Sequence, residues 1–116
     1  MAEPYREQLK LLVSRLRLPQ NPETILESKH FVSGAALYVN GKIYATLNPV
    51  GLALKLPAEM RQRLIQEKKG GEFRFFATGP IKSEYVLLSE STIEETETLQ
   101  ELLGASIDYV LQARLR

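Results

Sequence analysis

The chain has 116 residues, of which 44% are hydrophobic and 25% charged, and its formal net charge is +1. This composition is typical of a globular protein, and the length predicts one domain spanning residues 1–116. No cysteine is present, which excludes disulfides, thiolate catalysis and cysteine-ligated metal. No apolar run approaches the roughly 20 residues that cross a bilayer, and the first residues lack a signal-peptide pattern, so we expect a cytoplasmic protein without a membrane segment.

Charge is distributed unevenly along the chain. Residues 1–82 contain 13 Lys or Arg and 7 Glu, whereas residues 83–116 contain 2 Arg, 6 Glu and 1 Asp. Acidic and basic helix surfaces in different parts of a solvated protein account for this difference. A clustered basic surface that faces DNA or an acidic partner is the alternative interpretation.

The first predicted element is an amphipathic helix over residues 4–16. Apolar residues recur there at helical spacing, and Pro4 suits the first turn. They are Tyr5, Leu9, Leu12, Val13 and Leu16. Pro19 and Pro22 end this helix, and no element is assigned to residues 23–28.

From Phe31 onward the pattern predicts strands. Asn40-Gly41 favours a two-residue type I′ turn, because both positions of that turn need a positive φ. The turn predicts three cross-strand pairs, namely Val39 with Lys42, Tyr38 with Ile43, and Leu37 with Tyr44. In the second strand of this hairpin, alternation predicts that Ile43, Ala45 and Leu47 face inward while Lys42, Tyr44 and Thr46 face outward.

The next predicted elements continue the sheet and then add a helix. A turn over residues 48–51 leads to a strand over residues 52–56, whose three leucines share one face. A helix follows over residues 58–69, with Met60, Leu64 and Ile65 on its apolar side. Gly70-Gly71 closes this helix as a left-handed cap.

The last third of the chain predicts two strands and a helix. The strands cover residues 72–76 and 84–88, with a turn at Gly79-Pro80 between them. Ser91 and Thr98 each precede a glutamate by three residues, which is the capping-box spacing. A helix over residues 98–115 then places one set of side chains on a single face: Leu99, Leu102, Leu103, Ser106, Ile107 and Val110.

The predicted order is therefore α-β-β-β-α-β-β-α. Short links between strands cannot form parallel crossovers. We expect an α+β fold in which an antiparallel meander of about five strands carries helices packed on one face. A sheet covered on one side leaves edge strands and an exposed face, on which some of Leu37, Val39 and Tyr44 are expected, so self-association is a prediction as well.

No catalytic, cofactor or metal site is predicted. Gly34 and Gly41-Lys42 do not form a phosphate loop, since six residues separate the glycines and Ile43 follows the lysine. His30 is the single histidine, and it is interpreted as a surface or capping residue. The glutamates of residues 94–101 fit a helix N-terminus, where the helix dipole stabilises negative charge.

A basic group near the middle of the chain is the candidate contact surface for nucleic acid or a partner. It consists of Lys55, Arg61, Arg63, Lys68, Lys69 and Arg74. An ordinary solvated helix surface has the same composition. Phe73, Phe75 and Phe76 flank Arg74 in the manner of single-strand binders, but a strand there turns at most one of these rings outward.

Several stretches resemble one family. "FVSGAALYVNGKIYATL", "GLALKLP", "GEFRFFATGPIKSEYVLLSES" and "LQELLGASIDYVLQA" are similar to the N-terminal domain of the TfoX/Sxy proteins, which are regulators linked to bacterial DNA uptake and competence. The resemblance spans about residues 4–114. The matching positions are Gly34, Leu37, Tyr38, Asn40, Gly41, Lys55, Gly79, Pro80 and Tyr85. Ser33 and Ala36 replace family glycines, and Ser89 replaces a common proline.

This resemblance implies a stand-alone, non-enzymatic module for regulation or protein interaction, without the second helical domain of the longer members. It carries no catalytic residue to transfer. Direct DNA binding through the basic group is one alternative. Binding of a small ligand between sheet and helices is another.

Overall fold

The computed structural model describes residues 3–14, 16, 26–31, 34–74 and 81–113, and the elements lie within these ranges. Ten elements follow one another along the chain. They are α1 (Glu3–Ser14), β1 (Leu26–Phe31), β2 (Gly34–Val39), β3 (Lys42–Asn48), β4 (Gly51–Lys55), α2 (Ala58–Gln66), β5 (Gly70–Gly71), β6 (Tyr85–Leu88), α3 (Glu90–Glu94) and α4 (Thr96–Ala113). Among these helices, none is long and apolar enough to cross a membrane.

The strands form one sheet in the order β1-β2-β3-β4-β6-β5, and every neighbouring pair is antiparallel. The predicted α+β fold with an antiparallel sheet is confirmed, and β1 to β4 form a meander, after which β6 lies between β4 and β5. Two elements are additional, namely the first strand, β1, and the short helix α3. Residues 26–28 belong to β1, although no element was assigned to them from the sequence.

The β2–β3 hairpin has the predicted turn. Asn40 has φ 49° and Gly41 has φ 80°, and Val39 pairs with Lys42. These positive values are those that the type I′ turn requires. The turn at residues 48–51 is present too, and there the Val50 N–H donates to Asn48 Oδ1 at 2.9 Å.

A β-bulge in β3 overturns part of the predicted register. Tyr38 pairs with Ile43 as predicted, but Leu37 pairs with Ala45 and not with Tyr44. The extra residue turns Tyr44 toward the helices, where it is buried, and Ile43 is only partly buried. The predicted inward set is therefore wrong at Ile43, and the predicted outward set is wrong at Tyr44.

The main core lies between the sheet and the helices. The predicted face of α4 is confirmed, because all six of its residues are buried. Leu9 of α1 and Leu64 of α2 join this layer, together with the three leucines of the predicted strand, of which Leu52 and Leu54 lie in β4 and Leu56 directly follows it. The prediction that some of Leu37, Val39 and Tyr44 lie on an exposed face is wrong, since all three belong to this core.

The second face of the sheet is also partly covered. Ala36, Thr46 and Ala53 alternate with the core residues of their strands and are nevertheless at most 1% exposed. Phe73 packs on Ala53 and Tyr85, with 5.3 Å between the centroids of the two rings. Residues 72–74 lack the predicted strand, and residues 75–76 lie outside the described residues.

The end of α2 differs from the prediction. The helix ends at Gln66, and Ile65 is 43% exposed and does not lie on its buried side. The left-handed residue after the helix is Lys68, with φ 61°, and neither Gly70 nor Gly71 has a positive φ. The two glycines instead form β5 beside β6. A Cβ on Gly70 would lie 2.8 Å from Val86 Cγ2, so close strand approach is the reason for glycine.

The N-termini of the last two helices also differ from the prediction. Ser89, not Ser91, caps α3, because its Oγ accepts from the Thr92 N–H at 3.3 Å. The last helix, α4, begins at Thr96, two residues before the predicted Thr98. Its predicted end at Leu115 and the predicted turn at Gly79-Pro80 lie outside the described residues.

Candidate interaction surfaces

The six basic residues singled out from the sequence have different surroundings. Arg61 is partly buried, and its Nη1 donates to the carbonyl oxygens of Leu56 and Glu84. This guanidinium connects the start of α2 to the loop before β6. Lys55 lies at the end of β4, with its Nζ 5.6 Å from the centroid of the Tyr85 ring. These contacts give both side chains a structural role, whether or not they also meet a partner.

The other four basic residues are more exposed. Arg63, Lys68 and Arg74 are exposed, and Lys69 is half-buried with its Nζ 3.5 Å from Glu67 Oε1. Arg63 lies on α2, the two lysines follow that helix, and Arg74 follows the buried Phe73. The proposed contact of this group with nucleic acid or a partner stays a prediction.

A cavity of about 360 Å³ joins Lys55 to residues that the sequence did not connect with it. Its lining is Lys42, Ile43, Lys55, Glu84, Tyr109 and Val110. The Tyr109 hydroxyl donates to Glu84 Oε1 at 3.0 Å, which links α4 to the loop before β6. Two ammonium groups face one carboxylate here, so the lining has an excess of positive charge. Such a cavity suits a small anion.

Two tyrosines are held in a low-polarity environment. Burial raises the pKa of Tyr44 from 10.0 to about 12. Burial also raises the pKa of Tyr85 to about 12, with smaller contributions from the negative charge of Glu84 and from Tyr38. Both side chains therefore stay neutral at physiological pH and act as packing groups.

The acidic residues of 94–101 lie around the start of α4. Glu94 ends α3, Glu95 joins the two helices, and Glu97 is in the first turn of α4. Within the described ranges, no three His, Asp or Glu side chains are placed to hold a metal ion together. This position agrees with stabilisation of negative charge by the helix dipole.

The outer edge of β1 is a surface that sequence reasoning missed. This strand pairs with β2 on one side, and no other described strand pairs with it. Its exposed side chains, Glu27 and Lys29, carry opposite charges and are 43% and 55% exposed. The Lys29 Nζ lies 3.9 Å from Glu27 Oε2 and 5.3 Å from the centroid of the Tyr38 ring. Both side chains therefore lie on the sheet face opposite to the helices.

The backbone of β1 can be assigned to two sides from its register. Residues that flank a two-residue hairpin turn form a hydrogen-bonded pair, and such pairs alternate along an antiparallel ladder. The turn at Asn40-Gly41 makes Val39 and Lys42 such a pair, and alternation along β2 then directs the groups of Gly34, Ala36 and Tyr38 to their β1 partners, Phe31, Lys29 and Glu27. The N–H and C=O groups of these three residues thus point to β2, whereas those of Leu26, Ser28 and His30 point to the open edge.

A comparison with protein families matches residues 22–109 to the TfoX N-terminal domain. The chain belongs to this family. The match covers most of the 116 residues, and it includes the edge strand β1 and every residue that lines the cavity of this TfoX N-terminal domain except Val110. No curated protein matches the chain significantly. No solved structure does so either.

The edge of β1 had a signal in the sequence, whereas the cavity had none. In "LESKHF" of this TfoX N-terminal domain, charged residues alternate with others at the period of a strand, and that signal could have identified β1. The cavity had no such signal, because Lys42, Glu84 and Tyr109 are far apart in the chain. Only the packing of α4 against the sheet brings them together.

Proposed function

We propose that this TfoX N-terminal domain is a non-enzymatic regulatory module of the bacterial cytoplasm that acts by binding a protein partner. The open edge of β1 is the observation that carries this proposal. An exposed edge strand offers unpaired backbone donors and acceptors, and an extended segment of another protein can add to it as a further strand. Competence and transcription are the processes that the family suggests.

The flanking side chains support a selective contact. The acidic Glu27 and the basic Lys29 lie on the same face of β1, so an added antiparallel segment with the same acidic-to-basic order, which places opposite charges across the new pair, is favoured over others. Charged residues on an edge also oppose indiscriminate aggregation. The edge can therefore accept an added strand and also select among such strands by their charges.

Capture of partners from a native bacterial lysate tests the proposal. The purified chain is immobilised, and bound proteins are identified by mass spectrometry. In a parallel capture, Ser28→Pro removes a backbone donor from the open edge while leaving the ladder to β2 in place. We expect the wild-type chain to retain a defined partner and the Ser28→Pro chain to lose it.

Two controls make this result interpretable. Circular dichroism and thermal unfolding verify that Ser28→Pro is folded, and Glu27→Ala with Lys29→Ala provides a variant that keeps the backbone unchanged. A chain with Glu7→Lys and Lys10→Glu reverses an exposed ion pair on α1 and should capture the partner normally. A wild-type chain that captures nothing, including itself, would contradict the proposal.

A second candidate function is binding of a small anion in the cavity of Lys42, Lys55, Glu84 and Tyr109. The excess of ammonium groups favours it. Titration with inorganic phosphate and with acetate, followed by amide chemical shifts, would give saturable changes around these residues. Lys42→Gln should weaken them, whereas Lys10→Gln on α1 should not. Shifts spread evenly over the surface would rule the candidate out.

A further inference from the structure

We propose that the open edge of β1 binds a second copy of this chain, with Ser28 on the two-fold axis. This inference rests on the proposed interaction function and names the partner. Among the described strands, the sheet ends at β1 and β5, and β5 has only two residues, so β1 is the longer of these two edges. Two β1 strands that meet antiparallel would join two six-stranded sheets into one.

The backbone restricts the possible registers. Hydrogen-bonded pairs across the new interface must use residues whose N–H and C=O groups point outward, namely Leu26, Ser28 and His30. A two-fold axis that passes between two residues would place each residue with outward-pointing N–H and C=O groups opposite one whose groups point to β2, and no hydrogen bonds could form. The axis must therefore pass through a residue.

The charges then select one register. With the axis at Ser28, Glu27 of one copy lies opposite Lys29 of the other, and the same pair occurs twice by symmetry. With the axis at Glu27 or at Lys29, two identical charges face each other, and with the axis at Leu26 or His30 no Glu27–Lys29 pair forms. Directly opposed like charges are destabilising in a sheet, whereas opposite charges stabilise it. The Ser28 register also forms a hydrogen-bonded pair between the two serine backbones and aligns residues 26–30 of both copies.

The helical layer adds apolar surface beside this edge. The N-terminal helix, α1, packs on β1 and β2, and its Leu11 is 68% exposed. Leu11 also lines a surface cavity with Gln8, Leu12 and Ser14. A two-fold axis perpendicular to the sheet places both copies of α1 on the same side of the joined sheet. Exposed apolar area beside an edge is typical of an interface between copies.

Charge-reversal variants test the register by sedimentation equilibrium. The wild-type chain should approach twice its monomer mass of 13.1 kDa as its concentration rises, and added salt should weaken the association. Glu27→Lys makes the edge wholly basic and Lys29→Glu makes it wholly acidic. Each variant alone should self-associate roughly tenfold or more weakly than wild type.

Mixing the two variants gives the decisive result. An equal mixture should form heterodimers, because each basic edge then meets an acidic one, and isotope labelling of one variant identifies them by native mass spectrometry. A chain that carries both reversals should self-associate as wild type does. A control chain with Glu67→Lys and Lys69→Glu, which reverses an ion pair beside β5 at the opposite end of the sheet, should leave the mass unchanged.

Three outcomes would overturn the inference. They are a monomer at millimolar concentration, single reversals that associate as wild type does, and a mixture that fails to associate. A monomeric chain that still captures another protein through β1 would contradict only the self-association and would agree with the proposed function. A chain that pairs with itself but captures no other protein would restrict that function to self-association.

Discussion

Gly34 occupies a place in β2 where no side chain fits. A Cβ at this position would lie 2.0 Å from the Leu47 carbonyl oxygen and 2.8 Å from the Asn48 Cα. These atoms belong to the backbone of β3 and cannot move aside alone. We expect Gly34→Ala to destabilise the fold by roughly 2 kcal/mol or more, since the strands must separate. Urea unfolding followed by circular dichroism measures this loss.

Gly104 provides the matched control for that substitution. It lies inside α4, and a Cβ there would have nothing within 4 Å. Gly104→Ala should therefore stabilise the protein by roughly 0.5–1 kcal/mol, because alanine is the better helix former. Equal stabilities for the two alanine variants would show that Gly34 is not constrained by β3.

Residue-level features were predictable where their cause is local. Asn40-Gly41 needs two positive φ angles whatever surrounds it, and the sequence alone identified the turn. Gly70 was misinterpreted because its cause is distant. The contact that requires glycine there is with Val86, and nothing next to Gly70 in the sequence indicates that contact.

At the scale of elements, two serines near the start of α3 have different roles. Ser89 Oγ accepts from the Thr92 N–H, whereas Ser91 contributes an exposed hydroxyl 3.2 Å from Ser89 Oγ. We expect Ser89→Ala to cost about 1 kcal/mol in unfolding free energy and Ser91→Ala to cost roughly 0.5 kcal/mol or less. Thermal unfolding of both variants by calorimetry compares their stabilities. The reverse ranking would show that Ser91 is the cap, as the capping-box spacing predicts.

The reason for this cap lies outside the helix. The Ser89 N–H and the Thr92 Oγ1 both donate to the Lys69 carbonyl oxygen, at 2.9 and 3.0 Å. The loop after α2 thus determines where α3 begins. A capping-box spacing cannot reveal such a contact, because it compares residues only with their near neighbours in the chain.

Elements in which apolar residues recur at a regular spacing were predictable, and elements whose pattern is changed by packing were not. The buried face of α4 was predicted completely because helical spacing continues over many residues. Alternation in β3 failed at Tyr44, where the bulge adds a residue. The bulge brings the Tyr44 carbonyl within 2.8 Å of Ser106 Oγ on α4, a bond between two layers that no local pattern contains.

At the scale of the whole molecule, the sequence predicted the layers better than the surfaces. Composition and period indicate how much is buried and on which side of each element. The open edge and the cavity that Lys42, Lys55, Glu84 and Tyr109 line depend on strand order and on the position of α4, which are long-range properties. Glu84 and Tyr109, for example, are 25 residues apart and meet only after both layers assemble.

The global stability of the fold should fall in alkali because of its buried tyrosines. The folded-state pKa of Tyr44 and of Tyr85 is raised from 10.0 to about 12. Below pH 10 both phenols are neutral in the folded and unfolded chains, and their contribution to stability is fully present. Between pH 10 and about 12 the unfolded chain loses these protons and the folded chain keeps them. Stability is therefore lost with rising pH.

Phenylalanine variants isolate this loss from other alkaline effects. Tyr44→Phe keeps the buried ring but removes the ionisable hydroxyl, so its unfolding free energy should lose about 2–3 kcal/mol less than wild type over that pH range. Urea unfolding at a series of pH values measures the slope, and absorbance of tyrosinate in the folded chain reports the late ionisation directly. If Tyr44→Phe and wild type lose stability in parallel, the Tyr44 hydroxyl is not held neutral by its core, and the bulge does not bury it as tightly as its position indicates.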